Sequence, residues 1–188
     1  MGYHTYFYGK FDLNKPLDDE TYEFLKKLAE TRRMKRNVDP KYGVEGEFYV
    51  LGGGSFGQAH EDNIIDYNRP PSTQPSLWNH WEPTEDKMHI EHNGGEKFYC
   101  YVEWIQYIIK NILAPKGYVL DGTVHWSGEE DDDKGDIIIA QNQVTTQCVG
   151  DKLQIVDDIL GNKEVLPVLL GINKDLDRLI QARLKESG

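Results

Sequence analysis

The sequence predicts an α+β fold: one antiparallel sheet, two main helices packed on one of its faces, and a C-terminal helical extension. Three observations carry this. Residues 118–149 read as a β-meander, residues 98–113 as an amphipathic helix, and residues 3–11 as an alternating strand. The α+β domain is placed at residues 1–149 and the helical appendage at 150–188, where the pattern changes after Gly150.

Taking the elements in order, Tyr3, Thr5, Phe7 and Phe11 fall on one side of the first strand, and His4, Tyr6, Tyr8 and Lys10 on the other. Asp18 is a good N-cap, with Leu17 and Tyr22 spaced for a hydrophobic staple and Asp19 and Glu20 in the first turn of a helix running to Arg33. Its buried stripe is Tyr22, Leu25, Leu28 and Ala29. Residues 47–51 read as a short strand and Gly52 to Gly57 as a loop. Residues 66–84 carry Pro70, Pro71, Pro75 and Pro83, so they form neither a helix nor a central strand. They also hold Trp78 and Trp81, which predicts an ordered, extended segment pinned to the body.

In the second helix Tyr101, Val102, Ile105, Ile108, Ile109 and Ile112 recur at helical spacing, and Pro115 and Gly117 stop it. Cys100 is read as a core residue of that helix. In the meander Tyr118, Leu120, Gly122, Val124 and Trp126 share one face, while Val119, Asp121, Thr123, His125 and Ser127 share the other. Only the first set is apolar, so one face is buried and the other wet. A turn at 128–135 returns the chain through Asp136 to Ala140. Gln141-Asn142 then turns it into Val144 to Val149, and Asn tolerates the positive φ such turns need. After Gly150, residues 152–160 and 174–185 have a helical pattern.

Composition narrows the function classes. The chain has 188 residues, two cysteines (Cys100 and Cys148) and a formal net charge of −11 at pH 7. That charge argues against direct, sequence-independent nucleic-acid binding and is compatible with a basic protein partner. No apolar run approaches the ~20 residues of a membrane span, and the N-terminus lacks a signal-peptide pattern, so a cytoplasmic protein is expected.

Several segments together resemble a family of uncharacterised proteins from bacteria and their phages. They are Met1-Gly2-Tyr3, Thr5-Tyr6-Phe7 and Gly9; Thr31-Arg32-Arg33-Met34; Tyr67-Asn68-Arg69-Pro70-Pro71; Gln74-Pro75 with Leu77-Trp78 and Trp81; Gly94-Gly95-Glu96-Lys97-Phe98-Tyr99 with Glu103-Trp104; and Gly128-Glu129-Glu130. The resemblance spans about residues 1–149 and implies a shared α+β fold, with no activity attached.

Glu129, Glu130, Asp131, Asp132 and Asp133 form an acid run at a hairpin tip. An EF-hand reading fails, because Lys134 occupies a ligand position before Gly135. A looser divalent site from Glu129, Asp131 and Asp133 is the sharper alternative to a solvated tip, which charge runs usually are. His89 and His92 fall on opposite faces of a strand, and His4, His60, His80 and His125 are scattered, so no metal is assigned. Gly52, Gly54 and Gly57 precede no Lys-Ser/Thr pair and no helix pattern, so no phosphate loop is assigned. No catalytic residue and no cofactor is assigned.

Arg69, Trp78, Trp81, Glu96, Lys97, Tyr99 and Glu103 make the one constellation able to line a pocket, with aromatic faces to stack a flat ligand and cations to hold an anion. Glu96 and Lys97 are expected near the start of the second helix, where anions can be held. The plain alternative makes the tryptophans core anchors of a long loop and pairs Arg69 with an acid.

Two functions follow. The first is a non-catalytic binding protein docking a basic partner through the acid run, such as an inhibitor, immunity or anti-defence factor in bacterial or phage conflict. The alternative binds or processes a small, nucleotide-like molecule in a pocket near Arg69, Trp78, Trp81 and Glu96.

Overall fold

The computed structural model describes residues 2–37 and 62–148. The strand expected at 47–51, the glycine loop 52–57, His60, Val149 and the C-terminal helices fall outside these residues.

Among the described residues the main sheet has seven strands: β1 (Tyr6–Tyr8), β2 (Phe11–Leu13), β5 (Trp81–Pro83), β6 (His89–His92), β7 (Leu120–Ser127), β8 (Lys134–Ala140) and β9 (Gln143–Cys148). Their order is β5-β6-β2-β7-β8-β9, with β1 also paired to β7, and every pairing is antiparallel. A two-stranded ribbon joins β3 (Lys35–Arg36) to β4 (Ile64–Asp66). Helix α1 spans Asp19–Glu30 and helix α2 spans Tyr101–Ile108. The fold is therefore α+β, as the alternation and the two helical stripes predict.

One face of the sheet is buried. Phe11, Leu13, Trp81, Ile90, Leu120, Val124, Trp126, Ile137 and Ile139 join Leu25 and Leu28 of α1 and Trp104, Ile105 and Ile108 of α2 in a single core. The opposite face carries polar residues and the exposed Tyr6 and Tyr8. Trp126 sits opposite Gly135, where a Cβ would lie 2.3 Å from the indole, so the large ring occupies space that only glycine leaves.

The first strand departs from expectation. It splits into β1 and β2 because Gly9 takes a φ of +103°. The register is kept across the break: Tyr8 opposes His125, and Phe11 opposes Gly122. Residues 66–84, expected to be extended and pinned, include edge strand β5. Pro83 is tolerated there because an edge strand can spare an N–H.

Helix α1 matches its N-terminal signals but ends at Glu30, three residues short of Arg33, because Thr31 turns to extended backbone (φ −109°, ψ 129°). The Asp18 side chain accepts from the Thr21 N–H at 2.7 Å, and Tyr118 donates to the same carboxylate at 2.9 Å. These bonds, the backbone N–H of Thr21 first, hold the Asp18 pKa down at about 2.

The second helix starts three residues later than its periodicity predicts. Phe98 is buried and stacks on His92, and the backbone is left-handed on both sides of it, at Lys97 (φ 61°) and Cys100 (φ 56°). A helix cannot contain such steps. Cys100 is consequently exposed at the N-cap, not in the core. Past Ile108 the helix widens into a π-turn over Ile109–Leu113, then tightens over Ala114–Lys116.

At the other end of the meander, Gln141 (φ 49°) and Asn142 (φ 67°) are both left-handed, which makes a tight hairpin turn whose hand suits the sheet.

Candidate functional site

The segment from Tyr67 to Trp78 is fastened by residues that follow α1. Arg32 donates to the Tyr67 carbonyl at 3.0 Å and buried Arg33 donates to the Gln74 side chain at 2.9 Å. The Arg33 N–H donates to the Leu77 carbonyl and the Lys35 N–H to the Arg69 carbonyl, both at 2.8 Å. Ser76 accepts from the Trp104 indole at 2.7 Å and so ties the segment to α2. These bonds hold an irregular stretch in a fixed shape.

Two cavities open where this segment, the end of α1 and the loop after β6 meet. The first, about 390 Å³, is lined by Ala29, Glu30, Trp78, His80, Asn93, Gly94, Gly95 and Glu96. The second, about 420 Å³, is lined by Pro70, Pro75, Ser76, Leu77, Trp78, Glu96, Lys97 and Tyr99. Trp78 and Glu96 belong to both, so the two form adjoining halves of one cleft.

Four of the seven residues expected around a pocket, Trp78, Glu96, Lys97 and Tyr99, line this cleft. The other three do not. Trp81 is fully buried because β5 pairs it with His92 on the inward face, and its indole donates to the Tyr101 carbonyl at 2.8 Å. Arg69 points to solvent with its guanidinium 3.7 Å from Asp66, the plain alternative for that residue. Glu103 is exposed in the first turn of α2 and lines neither cavity. Glu96 and Lys97 precede Tyr101, the first helical residue, by five and four residues, so they stand outside the first turn of α2.

Sequence reasoning missed His80 and His92. Pairing of Trp81 with His92 and of the Asn93 N–H with the His80 carbonyl brings the two rings to 6.0 Å, among Phe7, Trp78, Trp81 and Phe98. Nδ1 of His80 and Nε2 of His92 are buried with no hydrogen-bond partner. Burial, followed by the charge of His80, drives the His92 pKa down to about 4. Burial lowers His80 as well, opposed by the neighbouring Asn93 side chain. Both rings are therefore neutral near pH 7. The signal that could have found them is the alternation of His89 to His92 after an Asp86 turn, which implies a hairpin with Trp81 to Pro83.

The acid run is less uniform than its sequence implies. Asp133 accepts from the Tyr3 hydroxyl at 2.6 Å and the Trp126 indole at 3.1 Å. Glu129 accepts from the His4 N–H at 3.0 Å. The hydrogen bond to Asp133, more than burial, raises the Tyr3 pKa and keeps its phenol a donor. Asp131 lies 3.4 Å from Lys134, while Glu130, Asp131 and Asp132 are exposed. Among the described residues no three His, Cys, Asp or Glu side chains are grouped to hold a metal ion. No helix among them is long and apolar enough to cross a membrane.

The class of protein defined by this fold and cleft is an α+β domain with a partly apolar, acid-edged groove. Set against protein-family models, curated proteins and solved structures, the chain finds no match.

Proposed function

We propose that this is a binding protein that takes a small molecule in the Trp78–Glu96 cleft. The observation that carries this reading is the pair of adjoining cavities sharing Trp78 and Glu96, each within the roughly 300–1,000 Å³ of ordinary ligand sites. The tied-down 67–78 segment supports it, because a preorganised wall loses little entropy on binding.

Native mass spectrometry of the full chain purified from its own cells tests this. The expected result is a non-covalent adduct of small-molecule mass that the Trp78→Ala variant lacks. A bare chain in both preparations, or an adduct indifferent to Trp78, would overturn it.

The exposed carboxylates of Glu130, Asp131 and Asp132 favour a second reading, docking of a basic protein at the hairpin tip. The motif resemblance to bacterial and phage proteins is what supports an inhibitor, immunity or anti-defence role for such docking.

A further inference from the structure

The two halves of the cleft differ in charge and polarity. Glu30, from the end of α1, and Glu96 both line the first half, and among the described residues no Lys or Arg lines it. His80, which lines the same half, is held neutral by burial and adds no opposing charge. The second half is walled by Pro70, Pro75, Leu77 and Tyr99, with Lys97 the cation among its described lining residues.

We propose that the cleft selects an amphiphilic organic cation, its ammonium or guanidinium head held by Glu30 and Glu96 beside Trp78, and its apolar body against Pro75, Leu77 and Tyr99. This rests on the cleft being a binding site. Carboxylates form charge-assisted hydrogen bonds with such a head, and an indole attracts a cation through its ring quadrupole. Lys97 sets the direction of entry, since it repels a cationic head from the second half and leaves the first half as its place. An anionic ligand would meet two carboxylates in the first half.

Three probes of one shape and different charge test the inference: tyramine, its neutral alcohol tyrosol, and its anionic counterpart 4-hydroxyphenylacetate. Each is titrated into the full chain by calorimetry, with Glu30→Gln, Glu96→Gln and Tyr99→Ala as variants. The expected order is tyramine over tyrosol by about tenfold or more, as one charge-assisted hydrogen bond provides. Binding of 4-hydroxyphenylacetate should be weakest. Both Gln variants should shrink the tyramine preference, and raised salt should do the same. Tyr99→Ala should weaken tyramine and tyrosol alike. Equal binding of all three probes, lost in Trp78→Ala, would overturn the cation assignment and leave the cleft a binding site. A preference for the anion, or no binding of tyramine, would also overturn it, and the cleft reading would then stand or fall on the adduct experiment above.

Discussion

Asp133 and its acidic neighbours share a charge but not a role. Asp133 joins Tyr3, from the N-terminal segment, to Trp126 on β7, whereas Glu130 and Asp132 point to water. Replacing the Asp133 carboxylate by an amide, which removes the charge and one of the two acceptor oxygens, should therefore lower the melting temperature by several degrees, the scale of a lost hydrogen bond to a charged group in a small domain. The triple change Glu130→Gln, Asp131→Asn, Asp132→Asn should leave the melting temperature unchanged or raise it slightly, because mutual repulsion is relieved. Thermal melting of Asp133→Asn beside the triple variant reads both outcomes, and equal melting would show that the tip is uniform. Gly128 belongs to the same arrangement: a Cβ there would lie 2.0 Å from Asp133 Oδ2 and 2.3 Å from the Tyr3 hydroxyl. Gly128→Ala should consequently melt low, as Asp133→Asn does, and a wild-type melting curve for it would contradict the Tyr3–Asp133 contact.

Among the elements, the β5–β6 hairpin carries the pH dependence. His92 titrates near 4 in the folded chain, below its usual value of 6.5. The unfolded chain therefore takes up the proton first, so stability is complete above about pH 6.5 and declines as the pH falls toward 4. His92→Phe keeps a ring beside Phe98 and should reduce the slope of melting temperature against pH across that window, leaving the share that the lowered His80 contributes. A slope equal to wild type would place the titration elsewhere. Gly9 makes a second prediction at this scale. Its φ of +103° and the Thr123 carbonyl 3.0 Å from any added Cβ mean that Gly9→Ala should cost about 1–2 kcal/mol in urea unfolding. The elements differed in how legible they were. The meander and α1 could be read because period-two alternation, a capping Asp and one apolar stripe are local signals. The start of α2 could not, because the stacking of Phe98 back onto His92 of β6, a contact that helical spacing does not make, overrides the local pattern. The His80–His92 pair was hidden for the same reason, since only the strand register brings the rings together. For Trp81 the sequence leaves pocket and core both open, because a tryptophan beside prolines looks the same whether it lines a groove or fills a core; its full burial makes it the core anchor of the plain alternative.

Across the whole molecule, the cleft and the acid tip draw on different parts of the chain. The cleft is built from the end of α1, the 70–78 segment and the loop after β6, while the tip joins β7 to β8. The tip carries part of a formal net charge of −11, so if it docks a basic protein, the triple tip variant should associate more slowly than wild type. The difference should be largest at low salt, where screening is weakest. Stopped-flow association at two salt concentrations measures this, and identical rates would leave the tip a solvated turn. The central claim is that the Trp78–Glu96 cleft is the binding surface. Its most direct test is a titration of the isotope-labelled full chain with the low-molecular-weight fraction of its own cell extract, followed by NMR. The account predicts shifts in the Trp78 indole N–H and in the backbone amides of Gly94 to Tyr99, with Glu130 to Asp132 unmoved. Shifts confined to the acid tip, or none at the cleft, would contradict it.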